Sequence, residues 1–186
     1  MKRAIGAGID TEETKADNQS ILTPEAVYDS LRNERKVLVS PLLISGEEYA
    51  RRWSEEQFRI STYKPEEKIY TTRRGEMVRS KSEMLIADLY YELGIPYRYE
   101  CELRLKSGAF KYPDFTLLNR KTREVIYHEH FGRMDDESYR KKNLRKVEEY
   151  RKSGIFTGKN LILTFEEEGC PFNVREFEKS IREILL

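Results

Sequence analysis

The sequence contains few of the features that secreted and membrane proteins use. Its two cysteines, Cys101 and Cys170, lie far apart without a C-x-x-C spacing, which argues against a disulfide framework and a cysteine-rich zinc site. The longest apolar stretch, "VLVSPLLI" from Val37, is too short to span a bilayer. After "MKR" the chain soon turns polar and acidic, from Asp10 onward, instead of continuing into the apolar region of a secretory signal. We therefore expect a soluble, cytoplasmic protein with no membrane partner.

A strong net charge is also missing. The chain of 186 residues carries 34 basic and 33 acidic side chains, a formal charge of +1. No overall field draws this protein to nucleic acid or to an anionic membrane, so any basic surface must be local. A chain of this length is most simply one domain with a real core. Tyrosine, in contrast, is abundant, with 12 residues.

The hydrophobic pattern divides the chain into three parts. Residues 1–22 show little periodicity and are interpreted as a flexible tail. Residues 23–76 are interpreted as a helical segment, with one helix starting at Thr23 and another at Ser45 or Gly46. From residue 77 to 186 the order is helix, three strands, helix, strand, helix. The first of the three strands is predicted over residues 97–105, and the second helix is predicted to be capped by Asp135 or Asp136. This order predicts an α/β fold in which a mixed sheet is flanked by helices.

Two predicted strands bring a pair of carboxylates together. "YPDFTLLN" and "REVIYHEH" read as a hairpin whose loop is residues 120–123. A loop of this length pairs positions that sum to 243, so Asp114 faces Glu129. Directly opposed residues have Cβ atoms ~5 Å apart, and two such carboxylates require a metal ion, a shared proton or a basic partner. The alternative is an ordinary pair of acids on a solvent-exposed sheet face.

The residues around this pair resemble a known family. "YPD" is followed 15 positions after its aspartate by "EHF", and a helical "SKSE" lies upstream. This pattern resembles the PD-(D/E)XK nuclease superfamily over roughly residues 77–165, most closely its small uncharacterised bacterial members with an E-H-F-G type signature. The resemblance implies a restriction-endonuclease-like αβββαβ core. It also implies a deoxyribonuclease that uses Mg²⁺, with Mn²⁺ as a substitute, and leaves a 5′ phosphate.

The resemblance also implies roles for acidic residues. Asp114 and Glu129 would hold the metal together with the backbone carbonyl of His130, and Glu83 would hold a second metal or a water. "SKSE" equally reads as a helix capping box that begins at Ser80. A helix that starts earlier, near residue 76, would instead place Glu83 beside the site, and we favour that interpretation because of the resemblance.

The family's lysine is missing from its usual place. The position two residues after Glu129 holds Phe131. In some relatives this lysine is displaced onto the next helix, where Lys142 and Lys146 are candidates; we choose Lys142 as the catalytic residue. Lys146 with Tyr150 resembles the Q-x-x-x-Y element of the RecB-type branch, and we assign both to nucleic-acid binding.

Other residues are candidates for contacts outside the catalytic set. Basic side chains near the site that would contact phosphates are Arg73, Arg74, Arg79, Lys81 and the cluster 140–146, although solvated surface charge is the alternative. His128 and His130 should point away from Glu129. They supply only two zinc ligands, so we expect them to pack against Pro113 and Phe115.

Two alternatives to the nuclease remain open. Because Phe131 occupies the lysine position, the chain would otherwise be an inactive nucleic-acid-binding module of the same fold. A lysine within about 4 Å of the metal site favours the enzyme. The second alternative is a protein-interaction or assembly subunit with a tyrosine-rich surface. The expected partner is DNA, bound by a homodimer or a larger nucleoprotein assembly, since one such site cuts one strand.

Overall fold

The structure, a computed structural model, describes residues 27–28, 30–36 and 44–186. The chain falls into two compact units, and the unit Ser45–Leu186 carries the sheet and the site. In the other unit, Asn33–Lys36 forms a short helix, α1. The tail predicted at residues 1–22 lies outside the described residues, as does the start of the helix predicted from Thr23.

The unit Ser45–Leu186 contains four α-helices, a 3₁₀ turn and eight strands. The helices are α2 Gly46–Glu55, α3 Lys81–Glu92, α4 Glu137–Lys152 and α5 Val174–Leu185, and the 3₁₀ turn is Pro65–Glu67. The strands are β1 Tyr70–Thr71, β2 Met77–Val78, β3 Tyr97–Tyr99, β4 Leu103–Arg104, β5 Phe110–Lys111, β6 Phe115–Leu118, β7 Val125–Phe131 and β8 Leu161–Phe165.

Four strands form the main sheet in the order β3-β6-β7-β8. β6 is antiparallel to both β3 and β7, and β8 is parallel to β7. The chain passes from β7 to β8 through α4, because parallel neighbours need a long crossover connection. The short pairs β1-β2 and β4-β5 form separate two-stranded sheets. The predicted α/β class with a mixed sheet and flanking helices is confirmed.

The hairpin of β6 and β7 has the predicted register. Leu118 pairs with Val125, and Phe115 pairs with His128, so the positions sum to 243. A slip of one residue would have turned every side chain of β7 to the opposite face. The register therefore places Glu129 on the side of β7 where the prediction put it.

The single strand predicted over residues 97–105 is wrong. β3 ends at Tyr99, and Glu100 has a left-handed backbone with φ of 45°. The buried Glu100 carboxylate is held by Arg79 Nε at 2.6 Å and by Lys68 Nζ at 2.6 Å. Such a backbone conformation costs about 1–3 kcal/mol outside glycine, and these ion pairs help to offset it. The chain then leaves the main sheet and forms β4.

The start of α3 also differs from the preferred prediction. The helix begins at Lys81, and Ser80 Oγ accepts a hydrogen bond from the Glu83 N–H at 3.1 Å. The expectation of a start near Glu76 is wrong because Met77–Val78 pairs as strand β2 instead of forming a helical turn. Ser80 is therefore the N-cap, as the capping-box alternative predicted.

The largest core cluster combines α3, α5 and the main sheet. The Tyr90 ring meets Phe115 edge-on, with centroids 5.5 Å apart, and such pairs stabilise beyond the area that they bury. A second cluster includes Tyr150 of α4 and Leu161 of β8. α2 joins the same unit through Trp53, which clusters with Leu118.

None of the helices within the described ranges is long and apolar enough to cross a membrane. Cys101 is buried and Cys170 is exposed, and both are free thiols.

Candidate active site

Glu129 lies near the end of β7 and is almost fully buried, with 1% of its side chain exposed. Its Oε2 is 2.7 Å from Lys146 Nζ, and its Oε1 accepts a hydrogen bond from the Tyr150 hydroxyl. Burial raises the pKa of Tyr150, so its hydroxyl stays protonated and donates. A buried carboxylate is costly unless it is paired and hydrogen-bonded, and Glu129 has both kinds of partner.

Both partners of Glu129 come from one face of helix α4. Asp136 caps the helix by accepting the Tyr139 N–H at 3.0 Å, as predicted for Asp135 or Asp136. Lys146 and Tyr150 lie four residues apart, so both reach the same face of the helix. Asn143, three residues before Lys146, is buried on this face too. Lys146 reaches Glu129 from a position where 23% of its side chain is exposed.

Asp114 lies immediately before β6 and is partly buried. Its Oδ2 accepts a hydrogen bond from the backbone N–H of His130 at 2.7 Å. In a strand, the N–H and C=O of one residue point to the same side, so the His130 carbonyl also points toward Asp114. At the end of the hairpin, the Asp114 carboxylate therefore accepts the hydrogen bond that a backbone carbonyl of a paired strand would accept.

Pro113 explains why the ladder ends here. Continued by two residues, the register would place His130 opposite Pro113. Proline has no N–H, so Pro113 offers no donor to the His130 carbonyl. Because Pro113 cannot donate to it, the His130 carbonyl oxygen is left beside the Asp114 carboxylate and next to Glu129. These three groups make a small cluster of oxygen donors.

The charges of this cluster are unbalanced without a cation. Burial, followed by the charge of Glu129, raises the pKa of Asp114 well above its ordinary value, and Lys146 opposes this only in part. Burial alone would lower the pKa of Lys146, but Glu129 and Asp114 outweigh it and the pKa is raised. Lys146 is therefore protonated at neutral pH. One ammonium group faces two carboxyl groups, so either a proton on Asp114 or a further cation balances the charge of the pair.

Glu83 approaches the same region from α3. Its Oε2 accepts hydrogen bonds from the Tyr99 hydroxyl at 2.6 Å and from the Arg79 N–H at 3.0 Å. Its negative charge contributes to the raised pKa of Asp114. The capping position of Glu83 and its approach to the site are therefore compatible, since its backbone N–H donates to the N-cap Ser80 while its carboxylate is near enough to Asp114 to raise the pKa of that residue.

A cleft of about 830 Å³ opens over Asp114, whereas Glu129 lies behind its wall and does not line it. Glu83 and Asp114 lie on its wall. Its cationic side chains are Arg79, Lys111, Lys141, Lys142, Arg145 and Lys146. A cleft lined by cations attracts anionic ligands, and acids at its base set the place where a divalent metal would meet such a ligand.

The donor set fits a magnesium ion. Two carboxylates, Asp114 and Glu129, and the carbonyl of His130 supply hard oxygen atoms, and Mg²⁺ is usually bound by one or two carboxylates together with waters and substrate phosphates. Among the described residues, no group of three or more His, Cys, Asp or Glu side chains is placed to hold a metal. A metal held only by these two carboxylates and one carbonyl would take the rest of its coordination from waters and substrate.

The two histidines face the other side of the sheet. His128 is stacked on Phe115 and on Phe177, with centroids 5.7 and 5.1 Å away, so the expected packing role of His128 holds. His130 Nδ1 lies 2.9 Å from Thr164 Oγ1, and its ring meets Phe172 edge-on. Only the backbone of His130 turns toward the acidic pair.

The structure separates the predicted basic residues. Lys142 lies exposed on the cleft wall, whereas Lys146 contacts Glu129 directly. Arg79 lines the cleft but is held by Glu100. The other predicted phosphate contacts do not line the cleft: they are Arg73, Arg74, Lys81 and Arg140. Arg73 pairs with Glu92 and Arg74 with Glu76, so these two carry neutralised surface charge.

Some residues of the site were not predicted. Tyr99 reaches Glu83, and Asn143 is buried beside Lys146, where its Nδ2 has no hydrogen-bond partner in the described part of the chain. The position of Asn143, three residues before Lys146 on the same helix, is a signal that helical spacing contains. Tyr99 left no such signal, because the break after β3 could not be anticipated.

Comparisons with known proteins do not identify a function for this chain. No family model matches the chain, and no solved structure matches it. The chain is 40% identical over 104 residues to an uncharacterized protein, MJ1519, of Methanocaldococcus jannaschii. The similar segment covers 54% of this chain but 8% of that relative, so the chain spans a small part of the relative's length.

Proposed function

We propose that this protein is a Mg²⁺-dependent deoxyribonuclease with a restriction-endonuclease-like core. The single observation that carries the proposal is the contact of Lys146 Nζ with Glu129, at 2.7 Å, beside Asp114. A cation of this kind next to an acidic pair is what the hydrolysis of a phosphodiester requires. The order of α3, β3, β6, β7, α4 and β8 supports the same fold assignment.

Asp114, Glu129 and the His130 carbonyl would hold the metal in this proposal. When bound, Mg²⁺ lowers the pKa of a water and neutralises charge on the scissile phosphate. Tyr150 keeps Glu129 oriented through its hydrogen bond, and the N–H of His130 does the same for Asp114. Glu83, fixed by Tyr99, would accept a water on the other side of Asp114.

Lys146 takes the role for which the sequence favoured Lys142. In the family pattern the lysine follows the second acid by two residues, and Phe131 fills that place here. Lys146 reaches the acidic pair from α4 instead. Its ammonium group would position the attacking water and stabilise charge on the phosphate, while Lys142 would contact the DNA backbone from the cleft wall.

A second candidate is an inactive DNA-binding module. The observation that favours it is that both oxygens of Glu129 already have partners, Lys146 and Tyr150, which stabilise the carboxylate without a metal. Each carboxylate oxygen has two lone pairs, so these partners still leave acceptor capacity. The two candidates differ only in whether the site cleaves DNA.

A cleavage assay tests the proposal. Wild-type protein is incubated with linear, circular and single-stranded DNA in the presence of Mg²⁺, Mn²⁺ or a chelator. We expect cleavage with either metal, none with chelator, and products with a 5′ phosphate. Asp114→Ala and Glu129→Ala should abolish cleavage, and Lys146→Ala should reduce it far more than the matched Lys142→Ala.

A wild type that binds DNA but cleaves no substrate with either metal would contradict the proposal and support the binding module. Cleavage that survives Asp114→Ala would place the active site elsewhere.

A further inference from the structure

We propose that the cleft binds single-stranded DNA, with bases stacked on Phe110 and Tyr63. This inference rests on the proposed function for DNA as the substrate and adds the form of DNA that the site takes. It follows from two properties of the cleft: exposed aromatic side chains and cations without carboxylate partners.

The exposed aromatic side chains come from two separate segments. Phe110, on β5, is 51% exposed, and Tyr63, in the loop before the 3₁₀ turn, is 68% exposed. Both line the cleft, and the half-buried Tyr112 lines it too. Single exposed apolar residues need no explanation, but a group of them around one site indicates a binding surface. The Phe110 ring offers a flat face to a ligand at the place where the cations are gathered. Arg79 and Lys64 lie 5.9 and 5.6 Å from the centroid of the Tyr63 ring, so a base stacked on Tyr63 would lie beside these cations.

Helix α4 contributes the unpaired cations of the cleft. Lys142 and Arg145 lie three residues apart, so both project from one face of the helix into the cleft. Within the described ranges, neither is close enough to a carboxylate to form an ion pair, whereas Lys111 and Lys141 are paired with Glu149 and Glu137. Cations of this kind are available to the phosphates of a strand.

Aromatic faces and free cations together select a single strand. In a duplex, the bases are stacked on each other and only phosphates and base edges face the protein, so exposed rings gain little. A single strand offers phosphates and base faces at once, and base–aromatic stacking is tolerant of sequence.

The test is binding in the absence of metal, which keeps the DNA intact. Fluorescence anisotropy is measured with a labelled thymidine oligomer of about 16 nucleotides and with a blunt duplex of the same length. The variants are Phe110→Ala, Tyr63→Ala, Phe110→Leu and Phe110→Trp. The matched control is Tyr91→Ala, which removes an aromatic ring of similar exposure, 53%, that does not line the cleft.

We expect the wild type to bind the single strand more tightly than the duplex. Phe110→Ala and Tyr63→Ala should each weaken single-strand binding about tenfold, since stacking of one base is lost. Phe110→Trp should retain binding and Phe110→Leu should not, because the aromatic face is what matters. The Phe110 and Tyr63 variants should bind the duplex as the wild type does. The control Tyr91→Ala should bind both forms of DNA as the wild type does.

Duplex binding that equals or exceeds single-strand binding would overturn the inference. So would a Phe110→Ala variant that behaves like Tyr91→Ala, or a Phe110→Leu variant that binds like Phe110→Trp.

The inference and the proposed function fail in different ways. Cleavage of duplex DNA together with weak single-strand binding removes the inference and leaves the nuclease intact. Aromatic-dependent binding of the single strand without any cleavage removes the nuclease and leaves the inference intact.

Discussion

His128 and Glu129 are neighbours on β7, equally buried, and their side chains lie on opposite faces of the main sheet. His128 is 0% exposed and sits among aromatic rings, with hydrogen bonds to the Tyr90 hydroxyl at 2.7 Å and to Thr164 Oγ1 at 2.8 Å. Glu129 is paired with an ammonium group and a phenol. The two faces of β7 therefore differ. The face with His128, the neutral side, is packed, whereas the face with Glu129, the charged side, forms the candidate active site.

The difference shows that the partners of a buried titratable side chain decide whether burial leaves it neutral or charged. Burial lowers the pKa of His128 to about 3, so the imidazole stays neutral and acts as a packing residue. On the other face, the carboxylates of Glu129 and Asp114 raise the pKa of Lys146 despite its burial. A neutral residue satisfied by hydroxyls is stable without a ligand, whereas an acidic pair with one ammonium retains capacity for a cation.

The largest expected effect comes from neutralising the charged side. Glu129→Gln keeps the shape of the side chain but removes its charge, so the metal and Lys146 both lose their anionic partner. We expect the single-turnover rate of DNA cleavage with Mg²⁺ to fall by about 10³-fold or more. His128→Gln, the equivalent change on the neutral side, should leave the rate close to that of the wild type once folding has been verified by circular dichroism.

Removing the Lys146 cation should lower stability as well as the rate of cleavage. Lys146→Met leaves Glu129 buried without a positive partner, and we expect the free energy of unfolding in urea to fall by about 3 kcal/mol. Lys142→Met removes an exposed lysine of the same helix and should cost less than about 0.5 kcal/mol. Equal stabilities of the two variants would contradict the ion pair between Lys146 and Glu129.

The neutral side predicts a pH dependence. The unfolded chain protonates His128 near its ordinary pKa of 6.5, whereas the folded chain does so only near 3. Between these values the unfolded state binds the extra proton, so stability is fully present above pH 6.5 and decreases as the pH falls. From about pH 8 to about pH 5, this contributes a loss of about 2 kcal/mol.

His128→Gln should remove that part of the pH dependence. The difference between the urea unfolding curves of wild type and variant isolates it from Asp114, whose raised pKa gives a contribution of opposite sign. A difference that does not change with pH would mean that His128 is protonated in the folded protein.

The smallest expected effect is the difference in stability between removing the hydroxyl of Tyr150 and removing that of Tyr90. Tyr150→Phe removes a hydrogen bond to the charged Glu129, and Tyr90→Phe removes one to the neutral His128. Hydrogen bonds to charged groups contribute more, so we expect Tyr150→Phe to cost about 1 kcal/mol more in the free energy of unfolding. Equal costs, or a larger cost for Tyr90→Phe, would contradict the assignment of charge to the two faces.

The local parts of this structure could be predicted from the sequence. The register of β6 and β7 follows from a short loop and from alternation, and it places Glu129 and Asp114 together. The N-cap at Asp136 follows from the helix pattern. These features depend on residues that are close in the chain, where spacing carries most of the information.

The features that depend on distant residues could not be predicted. The end of β3 at Tyr99 depends on Glu100, whose ion pairs come from Lys68 and Arg79, far away in the sequence. The choice between Lys142 and Lys146 depends on how α4 is rotated against the sheet. These two lysines lie about 40° apart on the helix, less than the uncertainty of a rotation inferred from hydrophobic pattern alone.

The central claim is that the charged face of β7 binds a divalent metal, and titration with Mn²⁺ tests it most directly. Bound Mn²⁺ is measured by electron paramagnetic resonance for wild type, Asp114→Asn and His128→Gln. The account predicts saturable binding by the wild type and by His128→Gln, and loss of binding by Asp114→Asn. Wild-type protein that binds no Mn²⁺, or binding that is unchanged in Asp114→Asn, would contradict it.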